Sequence, residues 1–571
     1  MKNYRIRFRG LALLVPWLFG SPASAPAASV VINEIMFHAA PAVPEDPRKE
    51  WIELLNTASN SVDLVGWRFT KGISFSFTNG VIPPGGCLVV GADVATFRTN
   101  HPGVTNVTGG WAGKLSNNGE SLELTDNLGQ VEDSVAYAPD GDWGWLRLGE
   151  EYPGQPTWWH GWGWTNAADG AGKSLELINP ALSSKPGQNW AVSLTNGGTP
   201  GRPNSAATND LPPMVLDVRH IPAIPRATDT VTVTARILDE TTAGLTVQLF
   251  SRVDGVAGFS STPMFDDGAH GDGAAGDGYF GAVLPARPDK TVVEFYLRAS
   301  DATGHARTWP APTDAAGTQG ANALYQVDEL TYAGSQPVYR LIITASEWNA
   351  WLNLMDNVSN GRYSDPAMNA TVVRTDGLGT EVRYNVLVRN RGAGTRAAQP
   401  HNFRLDFPAD RTLQGATELD FNTRTVHSQV AGNALFSLAG LPNAYGVPAQ
   451  VRVNSANLAH SEPDGTTDSF QFGSYFCFQS YSADWTDAHL PQDSQGNIYK
   501  GVWYQTTSNS PTVRSSTGAA PTSPTTGSLT APPGRRRIPA PTPSKATSRK
   551  TIGPTSSAFA PRLARCRPPI T

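Results

Sequence analysis

Two segments between residues 382 and 407 carry arginines in a pattern that suits anion binding. With a period of two, one face of the first segment carries Arg383, Asn385, Leu387, Arg389 and Arg391, and the other face carries Val382, Tyr384, Val386 and Val388. In the second segment Phe403, Leu405 and Phe407 alternate with Asn402, Arg404 and Asp406. Guanidinium groups bind phosphate oxygens in pairs. The arginine-bearing face is therefore weighed as a phosphate site, but a solvated strand face is preferred on spacing alone.

The composition indicates which elements carry these residues. At 571 residues the chain is long enough for three or four domains. Its 56 glycines, 45 prolines and low charged fraction of 16% favour β-rich domains joined by tight turns. The net charge of -5 gives no whole-chain signal for nucleic-acid binding. Cys87, Cys477 and Cys566 form no readable disulfide framework, and no Cys/His spacing typical of zinc occurs.

The first 28 residues are typical of a secretory signal peptide. A basic leader containing Lys2 and Arg5 precedes a short apolar run from Leu11 to Phe19, and small residues follow up to Ser29. An uncleaved membrane anchor is the alternative. No later stretch of about 20 apolar residues predicts a transmembrane segment. The mature protein is therefore expected to be secreted, periplasmic or attached to the cell surface.

Residues 30–205 alternate apolar and polar positions in short runs separated by Asn, Ser and Gly, which predicts a β-sandwich. This stretch resembles the lamin-tail domain family of secreted bacterial proteins. The resemblance rests on Asn33-Glu34-Ile35, Glu50 to Leu54 with Asn56, Leu64-Gly66-Trp67, and residues 115–137. It implies an immunoglobulin-like fold with a binding or anchoring role and no chemistry. The closing "GGTPGRPNS", residues 197–205, is interpreted as a linker.

Two features of this first domain raise the question of ligands. Six tryptophans crowd the segment that follows residue 142: Trp143, Trp145, Trp158, Trp159, Trp162 and Trp164. Of these, Trp158, Trp159, Trp162 and Trp164 are candidates for binding a glycan or a protein partner, unless they cover the sandwich or its edge. The carboxylates Glu34, Glu50 and Glu53 are weighed as calcium ligands, but a solvated strand face is preferred.

Residues 210–330 predict a second sandwich that looks like an immunoglobulin or fibronectin type III domain. Strands such as "TVTVTARILD" and "KTVVEFYLRASD" flank a glycine-rich loop. That loop carries four candidate calcium ligands, Asp266, Asp267, Asp272 and Asp277. Their order does not match an EF-hand loop, and Asp-Gly pairs are equally typical of tight hairpins.

Residues 336–504 predict an α+β lobe. A strand at its start leads to a short helix capped by Ser346, and further on a helix at 426–439 precedes a strand at 448–454. The lobe resembles the amino-terminal part of the spore-coat-protein-H (CotH) kinase family. The resemblance rests on Tyr339-Arg340-Leu341 with Glu347-Trp348, Val388-Arg389 with Arg391-Gly392, Asn402 to Leu405, Ala439 to Pro442, and Val451 to Asn454.

This second resemblance implies a secreted kinase that uses ATP and Mg²⁺ to phosphorylate serine or threonine. Arg389, Arg391, Arg404 and, more weakly, Lys500 are then the expected phosphate contacts. The pattern departs from the family at Gln479, which stands where the family has a glutamate. The lobe that carries the family's catalytic aspartates is expected to be missing, because no Asp or Glu follows Asp493. No catalytic residue is therefore identified.

Residues 505–571 are rich in Pro, Ser, Thr and Arg, and they are expected to be disordered. They are either a native basic tail or the product of a frameshift.

The fold class expected for the whole chain is mainly β and multidomain. The leading interpretation is an exported surface protein with a lamin-tail module and a truncated, inactive kinase-like domain. The alternative is a non-enzymatic adhesion or matrix protein that recognises glycan or protein; nucleic acid is disfavoured as a partner.

Overall fold

The structure, a computed structural model, describes residues 28–149, 161–356, 366–392, 399–459, 473–490, 499–502 and 512–515. It divides into two compact units, Met1–Ile498 and Tyr499–Thr571. Within the described part the first unit contains two β-sandwiches and a β-barrel, which confirms the predicted mainly β, multidomain class. The predicted signal peptide lies outside the described residues, apart from Ala28, as do Cys566 and most of the predicted disordered tail.

The first sandwich packs a six-stranded sheet against a four-stranded sheet. Its elements are β1 (Val30–Met36), β2 (Trp51–Asn56), β3 (Val62–Asp63), β4 (Arg68–Lys71), β5 (Phe75–Ser76), β6 (Val81–Ile82), β7 (Cys87–Gly91), α1 (Val94–Asn100), β8 (Val107–Gly109), β9 (Glu120–Thr125), β10 (Val131–Tyr137), β11 (Trp145–Leu148), β12 (Trp162–Thr165), β13 (Leu175–Leu177) and β14 (Trp190–Val192). The sheet orders are β14-β13-β1-β2-β7-β8 and β10-β9-β4-β5. Apolar residues such as Ile32, Leu54 and Leu122 fill the space between the sheets. β11 and β12 form a separate hairpin.

The second sandwich follows from alternating β-branched residues. Its strands are β15 (Met214–Ile221), β16 (Val231–Leu238), β17 (Thr246–Val253), β18 (Ser260–Met264), β19 (Tyr279–Leu284), β20 (Val292–Ser300), β21 (Ala306–Trp309) and β22 (Ala323–Gln326). One sheet has the order β15-β16-β19, and the other has β18-β17-β20-β21 with β22 also paired to β20. Val231, Val233 and Ile237 of β16 point into the core because side chains two apart share a face.

Within the described residues, the predicted α+β lobe forms a closed barrel to which three helices are attached. Its elements are β23 (Val338–Ile343), α2 (Ala345–Asp356), β24 (Ala367–Asp376), β25 (Gly379–Asn390), β26 (Phe403–Asp406), β27 (Glu418–Asn422), α3 (Val426–Leu438), β28 (Val447–Val453), β29 (Ala456–Asn457), β30 (Tyr475–Gln479) and α4 (Ala483–His489). The strand order is β23-β24-β25-β26-β27-β30-β28, and β28 pairs in parallel with β23. This last pairing closes the barrel around an apolar core, and β29 extends from β28.

The start of α2 differs from the prediction. The helix begins at Ala345, so Ser346 lies within its first turn. Thr344 takes the capping position instead, since its hydroxyl accepts a hydrogen bond from the Glu347 N–H at 3.4 Å. Trp351 and Met355 of this helix are fully buried in the barrel core.

A β-bulge breaks the predicted alternation in β25. Ala370 pairs with Val386, whereas Val372 pairs with Arg383, so two residues of β25 oppose one of β24. Asn385, in the bulge, has a φ of 51°, which asparagine tolerates better than most residues. The extra residue shifts the phase, so Val386 and Val388 face the barrel core while Val382 and Tyr384 pack into the second sandwich. The prediction that all four share one face is therefore wrong.

The second unit contributes a hairpin to the described residues. Its two strands are β31 (Tyr499–Val502) and β32 (Thr512–Ser515), paired antiparallel. β32 lies inside the stretch that was expected to be disordered. Residues 503–511 and 516–571 are outside the described part of the chain.

We expect the Phe403→Ala substitution to lower the free energy of unfolding of the barrel by about 3–5 kcal/mol. Phe403 is fully buried, and its ring packs against Trp351 and Tyr475, with centroids 5.8 and 6.2 Å away. Urea unfolding followed by tryptophan fluorescence measures the loss. Leu378→Ala is the control, because Leu378 is 95% exposed and its replacement should change little. Equal stability of the two variants would contradict this packing.

Candidate functional site

The predicted arginine face exists only in part, because the bulge separates Arg383 from Arg389 and Arg391. Each of Arg389, Arg391 and Arg404 contacts a carboxylate. Arg404 forms a two-pronged ion pair with Asp420, with distances of 2.8 and 3.2 Å. The Arg391 Nε lies 3.1 Å from the same carboxylate, and its guanidinium also stacks over the Phe478 ring. Arg389 pairs with Asp406 at 2.9 Å. The hairpin thus places the three arginines side by side on the outer face of the barrel, where Asp406 and Asp420 act as their counter-ions.

This pairing decides what the arginine face can bind. Asp420 is almost fully buried, and Glu418 adds a third carboxylate 3.2 Å from the Arg404 Nη1. Three positive charges therefore face three negative charges. A phosphate would have to displace a buried carboxylate, which costs more than displacing water. Burial raises the pKa of Asp406 to about 6, although Arg389 opposes this rise.

Lys500 and Gln479, the other two residues singled out by the kinase resemblance, have contacts that neither support nor exclude phosphate binding. Lys500 lies in β31, where its backbone pairs with Arg514. Gln479 ends β30, and its N–H donates to the Ala444 carbonyl at 2.9 Å. The phosphate-binding role of Arg389, Arg391, Arg404 and Lys500 stays a prediction.

The carboxylates Glu34, Glu50 and Glu53 do not form a solvated strand face. All three are buried, and Glu34 and Glu53 are neighbours across β1 and β2. Glu176 of β13 lies next to Glu34 on the other side. The preference for a solvated face was wrong, because residues 197–206 cover Glu34 and Glu53, and Glu50 is buried where it accepts a hydrogen bond from the Leu115 N–H at 2.7 Å.

Those covering residues, named here the closing segment, are bound by the row of glutamates. The Thr199 N–H donates to Glu34 at 2.8 Å, the Gly201 N–H donates to Glu53, and the Ala206 N–H donates to Glu176 at 2.8 Å. Burial raises the pKa of Glu34 to about 8. The segment interpreted as a linker is therefore an integral part of the first sandwich.

The four aspartates of the glycine-rich loop organise the loop itself. Asp272 accepts hydrogen bonds from the N–H groups of Asp267, Gly268 and His270, and Asp266 accepts from those of Gly276, Asp277 and Gly278. Such bonds are typical of tight turns. Within the described residues, these four carboxylates do not converge into a three-ligand metal group. Calcium binding by Asp266, Asp267, Asp272 and Asp277 stays a prediction.

The tryptophans of the first domain divide between core and cleft. Trp143 is buried in the first sandwich beside Trp190. Trp162 and Trp164 pack against Leu146 and Leu387, and the Trp162 Nε1 donates to Glu347 at 3.1 Å. The β11–β12 hairpin thus bridges the first sandwich and the barrel. Trp158 and Trp159 lie outside the described residues.

A cleft of about 390 Å³ opens where this hairpin, the second sandwich and the barrel meet. Its walls combine aromatic rings with arginines and a few other polar groups. The residues of this junction cleft include Asp142, Trp145, Trp164, Gln188, Arg298, Arg307, Trp309, Asn385 and Arg411. Its volume falls in the range of small-molecule sites.

The polar groups of the junction cleft are held in place by one another. Asp142 accepts a hydrogen bond from the Gln188 Nε2 at 3.1 Å and pairs with Arg411 at 3.3 Å. The Arg411 guanidinium stacks over the Trp309 ring at 5.7 Å. The Arg307 Nη2 donates to the Gln188 carbonyl at 3.0 Å. These contacts fix an arginine and aromatic surface without any bound ligand.

Among the described residues that line the cleft, three buried N–H groups have no hydrogen-bond acceptor. They are the Trp164 Nε1, the Arg307 Nε and the Arg411 Nε, the last of which lies 3.4 Å from an oxygen of Asp410. Burial lowers the pKa of Arg307 to about 10. Buried donors without partners are uncommon in proteins, so each calls for an explanation such as a ligand oxygen. The sequence patterns single out Trp164 but miss Arg307 and Arg411, because these two residues lie far from Trp164 and from each other in the chain.

Comparison with protein families supports one of the two predicted resemblances. The Lamin Tail Domain family matches residues 23–139, which confirms that resemblance for this part of the chain. No match to the CotH kinase family is found, so that resemblance stays a prediction. No curated protein matches the chain.

Solved structures give only remote likenesses. A cycloalternan-forming enzyme from Listeria monocytogenes in complex with a pentasaccharide substrate is 12% identical, with a TM-score of 0.15 over 36% of this chain and 20% of that one. An uncharacterized protein from Listeria monocytogenes EGD-e, solved with glucose, magnesium and calcium, is 10% identical, with a TM-score of 0.14 over 37% and 19%. The chain spans about a fifth of these proteins, and such scores carry no argument about function.

The described part of the chain contains no helix that is both long enough and apolar enough to cross a membrane.

We expect the Glu34→Gln variant to lose part of the pH dependence of stability. In the folded protein Glu34 stays protonated up to about pH 8, whereas its ordinary value of 4.5 applies when the chain is unfolded. The unfolded state therefore gains from ionisation as the pH rises from 4.5 to 8, and wild-type stability falls over this window. Glutamine does not titrate, so the variant should become more stable relative to wild type at pH 8 than at pH 5, by on the order of 2 kcal/mol.

Urea unfolding at pH 5 and pH 8 measures this difference. Glu123→Gln is the matched control, because Glu123 is paired with Lys71 and its pKa is lowered by that contact. Its stabilising contribution is lost only as the pH falls toward and below 4.5, so it should not change the slope between pH 5 and pH 8. Parallel slopes for wild type and Glu34→Gln would contradict the raised pKa.

Proposed function

We propose that this chain is an exported, non-catalytic binding protein that takes a carbohydrate in the junction cleft. The proposal rests on one observation. Tryptophan rings and N–H donors without an acceptor line the same cleft. Sugars present flat apolar faces to aromatic rings and hydroxyl oxygens to such donors. The lamin tail domain over residues 23–139 is consistent with a β-sandwich binding module.

The arrangement of the cleft favours an oligosaccharide over a phosphorylated ligand. Arg411 is neutralised by Asp142 at 3.3 Å, and Arg307 lies buried beside the Gln188 carbonyl. The polar groups therefore include both donors and acceptors, as a hydroxyl-rich ligand requires. Trp145, which is 42% exposed at the rim, offers a further ring for stacking.

We expect the Trp164→Ala variant to bind an oligosaccharide at least about tenfold more weakly than the full-length wild-type chain, because it loses both the stacking surface and the Nε1 donor. A screen of immobilised glycans identifies the sugar, and calorimetry with that sugar measures the affinity. Tyr445→Ala is the control, since Tyr445 is an exposed aromatic residue of the barrel outside the cleft.

Three outcomes would count against this proposal. They are the absence of any bound glycan, equal loss in the Tyr445→Ala control, and retention on a protein ligand instead. The last would favour the alternative function, which is recognition of an extracellular protein.

The resemblance to the CotH kinase family gives a second candidate, in which the arginine face binds ATP with Mg²⁺. The donor set fits this poorly as it stands, because Arg391 and Arg404 share the buried Asp420 and Arg389 holds Asp406. We therefore take the barrel as a scaffold in this chain.

We expect calorimetry to detect no saturable binding of ATP with Mg²⁺ to the full-length chain, since the arginine charges are already matched by carboxylates. Arg391→Gln should behave like wild type in the same titration. Saturable ATP binding that disappears in Arg391→Gln would support ATP binding by the arginine face and would contradict the proposal that the barrel is only a scaffold.

A further inference from the structure

Three potential metal ligands converge where the chain passes from the first sandwich to the second. Asp210 lies just before β15, and Asp301 and His305 flank the turn between β20 and β21. The His305 Nδ1 lies 3.3 Å from the Asp210 Oδ2 and 3.7 Å from the Asp301 Oδ2. One ligand atom from each residue falls within 4.8 Å of the other two.

The two carboxylate oxygens of Asp301 differ in their hydrogen bonding. Its Oδ1 accepts hydrogen bonds from the N–H groups of Thr303, Gly304 and His305, at 2.7 to 3.0 Å, and so holds the β20–β21 turn. Its Oδ2 is buried and has no hydrogen-bond partner, although the side chain is only 4% exposed. A buried carboxylate oxygen without a partner is costly. Since this oxygen is the one that faces His305 and Asp210, it points to a cation.

The spacing of the ligand atoms suits a small tetrahedral ion. Bonds of about 2.0–2.1 Å to nitrogen and oxygen separate tetrahedral ligands by about 3.4 Å. The separations of 3.3 and 3.7 Å from the His305 Nδ1 lie close to this value. An imidazole nitrogen with two carboxylates is a ligand set of zinc and similar transition metals, whereas calcium prefers oxygen alone.

The surroundings allow a cation to enter and favour its charge. Asp210 and His305 are about half exposed, whereas Asp301 forms the floor of the site. Asp239 lies nearby, and burial together with the carboxylates of Glu240 and Asp301 raises its pKa to about 6. The Thr303 hydroxyl donates its proton to the Asp301 Oδ1 at 2.8 Å, so in its 3.0 Å contact with the His305 Nδ1 the histidine N–H is the donor. Metal binding at Nδ1 requires the other tautomer of His305, with its proton on Nε2.

We propose that Asp210, Asp301 and His305 bind a divalent transition-metal ion of the zinc type, with water in the fourth position. The ion links residue 210, at the end of the first sandwich, to the β20–β21 turn of the second sandwich. The site lies outside the junction cleft and does not depend on carbohydrate binding.

Calorimetric titration of Zn²⁺ into the chelator-treated, full-length chain tests the proposal. We expect one saturable site that is weakened at least about tenfold in Asp301→Asn and in His305→Gln. Asparagine can still accept the turn hydrogen bonds through its Oδ1, so the fold should be kept. Saturating Zn²⁺ should also raise the thermal midpoint of wild type, and that rise should be absent in both variants.

His270→Gln is the matched control, because His270 is a half-exposed histidine of the same sandwich that pairs with Asp267. It should bind Zn²⁺ like wild type. Asp210→Asn, altered at a half-exposed position, keeps the test decisive if the buried-site variant Asp301→Asn fails to fold, and it should also weaken binding. The proposal is overturned if wild type shows no saturable site, if Asp210→Asn binds as wild type does, or if Ca²⁺ binds more tightly than Zn²⁺.

Discussion

The bulge at Asn385 is the constraint on which the arrangement of the second sandwich and the barrel depends. It lets a single strand, β25, serve two cores, because Val386 and Val388 face the barrel while Tyr384 enters the second sandwich. There the Tyr384 hydroxyl lies 2.6 Å from the His220 Nδ1, in full burial. A side chain shared in this way ties the second sandwich to the barrel.

The junction cleft follows from that coupling. Asn385 and Trp309 line it from the barrel and the second sandwich, and the β11–β12 hairpin brings Trp164 from the first. The hairpin is fixed in turn by Leu387 and by Glu347, which accepts from Trp162. The cleft is therefore a product of how three folded parts pack, and none of them forms it alone.

Buried ionisable groups in this molecule are either neutralised by an ion pair or kept protonated. On the barrel, carboxylates neutralise arginines, so a surface that looks basic in the sequence carries balanced charge. In the first sandwich, Glu34 has no basic partner among the described residues and remains protonated until about pH 8, with hydrogen bonds from Ser174 and the closing segment. A strand pattern identifies these residues as polar, but it does not reveal which other strand supplies the counter-ion or the cover.

The sequence by itself determined the mainly β class, the lamin-tail resemblance, which the family comparison confirms for residues 23–139, and the helix beginning at Val426, because these rest on local periodicity and turn residues. It missed the phase shift at Asn385, which depends on the pairing with β24. Only the tertiary structure decided that Arg404 faces Asp420, that the closing segment covers Glu34, and that Arg307 and Trp164 share a cleft. Those facts depend on contacts between residues far apart in the chain, which no local pattern encodes.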